Sequence, residues 1–176
     1  MKAAAKPTMQ AVCRDEVLYL RLAGRLTFTA AGPLNRFLDG LAKGSMVAAV
    51  VDMVSADYVD STILGILARL VRLVRERGKG RPVLYVAGAD MDVLLDSVGF
   101  QTVFDIRHES PPPVPDYVDI ESVAEPPPAA DALLEAHRML MDLNERNRAA
   151  FQDTVDALRR HLANEPTATT AAPRGP

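Results

Sequence analysis

A chain of 176 residues, 48% of them apolar, is long enough to bury one ordinary core. Its net charge of -3, with the arginines scattered among acids, leaves no basic footprint for nucleic acid, and Cys13 as the single cysteine excludes an internal disulfide and a multi-cysteine zinc site. The start, MKAAAKPTMQAV, lacks the apolar stretch of a signal peptide, and no run reaches about 18 uncharged apolar residues, so a cytoplasmic protein without membrane insertion is expected.

Residues 1–14 are read as a flexible N-terminus and 15–107 as the folded domain. In EVLYLRLAG, Glu16 to Gly24, Leu18, Leu20 and Leu22 alternate with Val17, Tyr19 and Arg21, the period of a strand with one mainly apolar face; Gly24 marks its end. Thr29 to Lys43 follows as a helix, with Leu34, Phe37, Leu38 and Leu41 at helical spacing and Pro33 near its first turn. Met46 to Val54 is nearly continuous in apolar residues, which predicts a central strand covered on both faces. After a loop over Ser55–Val59, Ser61 to Arg77 predicts a helix with Ile63, Leu64, Leu67, Leu70, Val71 and Val74 on one side, stopped by Gly78 and Gly80. The GKG there lacks the longer glycine-lysine pattern of a phosphate cradle and reads as a turn. RPVLYVAG supplies another strand, Asp90 caps a short helix through Asp96, and VFDI a last strand. Strands alternating with helices of this size predict an α/β domain with a mainly parallel sheet.

From His108 to Pro128 the chain carries seven prolines and five acids, with no Lys or Arg, a stiff acidic linker that Tyr117, Val118 and Ile120 interrupt with a possible edge strand. Residues 129–164 have good helix formers and no internal proline or glycine, which predicts one long helix; the tail 165–176 is expected to be disordered. Leu133, Ala136, Leu140, Leu143, Asn147 and Ala150 recur at alternating steps of three and four, a coiled-coil seam with Asn147 at an inner position. Such a helix wants a partner surface, which its own domain, a second copy or another protein would provide.

Little here predicts catalysis. His108, His137 and His161 fall in no metal-ligand spacing and are read as solvated or packed histidines; no nucleophile stands in order with a histidine and an acid; no cofactor is expected. The residues that stand out are Asp60, Ser61 and Thr62, at the bend from a strand into a helix. Asp60 or Ser61 would accept a hydrogen bond from a free amide of the first turn. A phosphate on a hydroxyl there would meet the same unpaired amides.

The ordered series of a strand ending in Asp52, the pair Asp60 and Ser61, Leu64 and Gly65, and a late helix with Leu94, Leu95, Val98, Gly99, Phe100 and Phe104 resembles the STAS domain of anti-sigma factor antagonists, over Glu16 to Arg107. The resemblance implies a small mixed sheet with helices mainly on one side. It also implies a partner, a serine kinase that doubles as an anti-sigma factor, captured by the unmodified protein and released when the serine after the aspartate is phosphorylated. Ser61 would be the acceptor and Thr62 a lesser one; Asp60, Ser61, Thr62, Ile63 and Leu64 would form the partner surface, and a serine phosphatase would reset the switch. Ile63 stands where the family usually has glycine, which sets a branched side chain on the surface a kinase approaches. This departure, with the added C-terminal helix, supports an alternative: a STAS subunit of a larger assembly, such as a lipid-transport ATPase or a sensory complex, that is not phosphorylated.

Overall fold

The computed structural model describes residues 7–78, 80–120 and 130–164. Residues 1–6, Lys79 of the GKG turn, residues 121–129 of the proline-rich segment and the tail 165–176 lie outside the described residues, and the disorder expected of that tail lies outside them too.

The sheet begins with a hairpin. Strand β1 (Thr8–Arg14) runs antiparallel to β2 (Val17–Leu26), and Arg14 pairs with Val17 around a two-residue turn. Asp15 and Glu16, at φ 49° and 64°, provide the two positive φ angles whose twist suits so tight a hairpin. The flexible N-terminus expected over 1–14 is thereby corrected, since residues 8–14 are strand and Met9 and Ala11 are buried. Met, Ala and Gln have little strand preference of their own, so pairing with β2 makes this strand.

Gly24 does not end β2 as its position suggested. At φ 76° it sits at a register shift, where the strand changes partner from β3 (Ala48–Asp52), parallel over Val17–Arg21, to β4 (Ala56–Val59), parallel over Gly24–Leu26. Glycine tolerates that φ without strain, so it bends the strand onward. The segment read as a loop over Ser55–Val59 is mostly β4. Strands β5 (Val83–Tyr85) and β6 (Asp105–Arg107) continue the sheet in parallel beyond β3. Strand β7 (Val118–Asp119) adds antiparallel to β1, so the edge strand expected near Tyr117 and Val118 forms there. The order is β6-β5-β3-β2-β1-β7, with β4 beside the second half of β2.

Among the described residues, helices cover one face of this sheet. Along β2 and β3, Leu18, Leu20, Leu22, Ala49 and Val51 are buried, whereas Tyr19, Arg21, Val50 and Asp52 are half-exposed. Strand β3 is interior to the sheet, yet the two covered faces expected of its apolar run are corrected to one. On the open face the Arg21 guanidinium holds Asp52 at 3.1 Å and lies 4.2 Å from the Tyr117 ring centre, so the proline-rich segment leans on the sheet there. Burial pushes the Tyr117 phenol above its ordinary pKa, while the Arg21 cation pulls the other way.

On the covered face lie α1 (Ala31–Leu41), α2 (Ser61–Arg77) and α3 (Ala89–Ser97). Helix α1 follows a single 3-10 turn, Phe28–Ala30. The end of α2 braces the end of α1: Arg77 donates to the carbonyls of Leu41, Ala42 and Gly44, a cation placed where the last carbonyls of a helix lack partners. Helix α3 starts after Gly88 with no side-chain cap, so Asp90 sits in its first turn and does not cap it. Phe100 and Phe104, both fully buried with ring centres 5.0 Å apart, close the core behind it. A mixed sheet with helices mainly on one side is thus the architecture, as expected.

The single helix expected over 129–164 is two. Helix α4 (Ala130–Met141) turns at Asp142–Asn144 into the long C-terminal helix α5 (Glu145–Asn164), and Asn144 Oδ1 accepts the Asn147 amide at 2.8 Å as the cap of α5. Asn147 is not a coiled-coil register amide. Buried at 1% exposure, its Nδ2 donates to Val98 O and to Leu140 O, both at 2.9 Å, tying the turn to the end of α3. The seam therefore meets its own domain: Ala136 and Leu140 are buried, Leu143 and Phe151 pack against the core, and Ala150 is exposed. Asn147→Leu leaves two inward carbonyls without this donor, and a loss of about 2 kcal/mol in urea unfolding is expected. A wild-type midpoint in that variant would show that the amide does not hold the turn.

Candidate functional site at the start of helix α2

Asp60 is built to start α2. Its backbone is extended (φ -91°, ψ 171°), its Oδ1 accepts the Ile63 amide at 3.0 Å, and its carbonyl accepts Leu64 N at 3.1 Å. The other oxygen, Oδ2, accepts Phe28 N at 2.6 Å, and Asp60 N donates to Leu26 O at 3.1 Å. One residue thus joins the end of β2, the 3-10 turn and the first turn of α2. Of the two caps considered, Asp60 is the one used.

Ser61 is the first residue of α2 and is half-buried. Its Oγ lies 3.1 Å from His137 Nε2, and His137 Nδ1 lies 2.7 Å from Leu133 O. A carbonyl only accepts, so Nδ1 carries the proton, and in the neutral ring Nε2 accepts from the Ser61 hydroxyl. His137 is 7% exposed, with Phe151 edge-on at 5.6 Å between ring centres. No spacing in the sequence announces this pair, because 76 residues separate its members. His137, expected to be a packed or solvated histidine, is packed, and its ring holds the candidate hydroxyl.

Thr62, Ile63 and Leu64 are all buried, at 4%, 0% and 1% exposure. The surface expected from Asp60 to Leu64 is therefore half-open only at Asp60 and Ser61. Contrary to expectation, Ile63 does not set a branched side chain on the surface: it fills the core, a correction that follows from the position of the third helical residue over the sheet. Thr62 is equally withdrawn from the surface. The exposed side chains beside the site are Phe28 and Tyr58, the latter with the Arg25 guanidinium 4.0 Å from its ring centre.

Gly65 completes the site. A Cβ built there would stand 2.7 Å from Ala136 Cα and nearer still to its carbonyl, so α4 crosses α2 in contact with bare backbone. One turn on, Arg69 reaches Asp39, Asn35 Oδ1 at 3.2 Å and Glu135 at 3.9 Å. Ser61, Gly65 and Arg69 recur every four residues, one stripe of α2, and α4 covers it.

The nearby cleft lined by Ala56, Asp57, Gly88, Asp90 and Met91 includes neither Ser61 nor His137. His108 is exposed, 3.8 Å from Asp92, and among the described residues no three His, Cys, Asp or Glu side chains are grouped to hold a metal ion. Nor, among the described residues, is any helix long and apolar enough to cross a membrane.

The model of the STAS domain matches residues 8–110. Among solved structures the chain is similar to the Bacillus cell fate determinant SpoIIAA in its phosphorylated form, at 17% identity and a TM-score of 0.48, over 57% of this chain and 92% of that one. No curated protein matches it.

Proposed function

This chain belongs to the STAS domain family, and from that premise we propose that it is a non-enzymatic, cytoplasmic partner-switching protein of the anti-sigma factor antagonist kind. Unmodified, it binds a serine kinase that also acts as an anti-sigma factor; phosphorylated on Ser61, it lets that partner go, and a serine phosphatase restores it. The observation that supports this reading is the placement of the Ser61 hydroxyl at the head of α2, next to a cap that does not use it. Asp60 satisfies the Ile63 amide, so the hydroxyl is not spent on capping the helix. In the transfer, Oγ forms a bond to the γ-phosphorus of ATP as the bond to the ADP oxygen breaks, and the hydroxyl proton leaves to a base of the kinase. Magnesium and ATP belong to the kinase.

Incubation with the cognate kinase and ATP is expected to add about 80 Da to the protein and nothing to Ser61→Ala. An equal gain in the alanine variant removes Ser61 from the mechanism. No gain in either favours the second reading, a constitutive subunit of a larger assembly, which the hold of His137 on Ser61 also supports. Co-purification with that assembly would then be unchanged by Ser61→Glu.

A further inference from the structure

The α4–α5 hairpin occupies the stripe of α2 that begins at Ser61. His137 takes the Ser61 hydroxyl, the Ala136 backbone lies on Gly65, and Glu135 faces Arg69. We infer that this hairpin is an intramolecular gate, docked while Ser61 carries a free hydroxyl and released when it carries a phosphate. The inference rests on the reading of Ser61 as a phosphate acceptor and adds what that phosphate does to this chain.

Three features of the contact make it sensitive to the modification. First, Oγ and Nε2 are already at hydrogen-bond distance, 3.1 Å, so a phosphorus atom has no place between them. Second, the bond that holds the pair loses its donor. Nδ1 faces the Leu133 carbonyl, and a phosphate ester removes the hydroxyl proton that Oγ offers to Nε2 while bringing up to two negative charges beside the Asp60 carboxylate. Third, the ring cannot retreat alone. His137 is buried between Phe151 and α2, and the Ala136 backbone one residue away rests directly on Gly65, so moving the ring lifts α4.

Polar ties between the hairpin turn and α3 are few: Asn147 Nδ2 and Asn144 Nδ2 donate to the Val98 carbonyl, at 2.9 and 3.3 Å. Lifting α4 bares the Ser61 stripe and the apolar side of the hairpin, with Leu134 and Leu140, in one step. A kinase and the hairpin therefore hold Ser61 alternately. An added phosphate keeps the hairpin away after the kinase has left.

The test installs phosphoserine at position 61 of the full chain during synthesis and follows amide hydrogen exchange by mass spectrometry. The modified protein is expected to exchange residues 130–141 and 145–155 about tenfold faster or more, while β3 and β5 keep their protection. Protection of α4 equal to or above that of the unmodified chain overturns the gate, because His137 then accommodates the phosphate. Loss of protection that spreads through β3 also overturns it, because the hairpin is then part of one cooperative core. Since the phosphate is placed chemically, the result stands whether or not a kinase modifies Ser61, and failure of the switch reading is registered separately by the mass gain.

Discussion

Gly65→Ala is expected to lower stability by about 2 kcal/mol or more, although alanine favours a helix over glycine by about 1 kcal/mol. The added methyl would lie 2.7 Å from Ala136 Cα and closer to its carbonyl, and these are backbone atoms that no rotamer change removes. Helix α4 must therefore shift as a body, taking fully buried Leu140 with it. Partial exposure of one such leucine outweighs the gain in helix propensity. Gly40 provides the control: it lies in α1, and a Cβ there meets nothing within 4 Å. Gly40→Ala is expected to leave the melting temperature unchanged or raise it, so opposite signs at the two glycines separate overlap from propensity. A Gly65→Ala protein that melts at or above the wild type would mean that α4 does not rest on α2 in solution.

Asp60→Ala is expected to cost about 2 kcal/mol, a fall of roughly 4–8 °C in the melting temperature of a chain this size. The side chain serves two amides, Ile63 N at 3.0 Å and Phe28 N at 2.6 Å, and the Ile63 amide belongs to a residue with no exposed surface. Alanine leaves the first turn of α2 without its cap and frees the 3-10 turn from the helix it precedes. Asp60→Asn keeps one acceptor oxygen and should fall between, retaining the cap at the expense of the Phe28 bond. Thermal unfolding of the three proteins in one buffer gives the comparison. Equal melting temperatures for wild type and alanine variant would show that the carboxylate does not hold the bend.

These variants test the site from its two sides, and the two sides differ in how far they could be read beforehand. The Asp60 side was legible: an acidic residue ahead of a long amphipathic run is a local signal, because a cap reaches only the amides of the next turn. Even so, the sequence left Asp60 and Ser61 as rival caps, and the choice depended on the Phe28 amide arriving from the end of β2. Ile63, between them, was misread. Its position in the motif suggested a surface, whereas the pitch of α2 over the sheet points it into the core. The Gly65 side was not legible at all, since nothing near Gly65 in the chain tells that Ala136 lies on it.

The same division runs through the fold. Helix α2, the apolar face of β2 and the break in character at His108 follow from periodicity and composition, which are properties of neighbours in the chain. Strand β1, the passage of β2 through Gly24 to a second partner, and the open face of β3 follow from pairing, which joins residues distant in sequence. The C-terminal segment shows both. Its helical nature was plain from its formers, and Asn144 ahead of Glu145 was a cap signal that could have divided it. Where its apolar stripe goes was not determined locally, because a seam of Leu133 to Ala150 suits a second copy or its own domain equally well. Only the folded chain decides, by bringing the Val98 carbonyl to Asn147 and Gly65 to Ala136. By itself the sequence determined a capped helix start bearing a hydroxyl on an α/β domain; tertiary structure determined that His137 holds that hydroxyl, because helix packing joins side chains that no local rule relates.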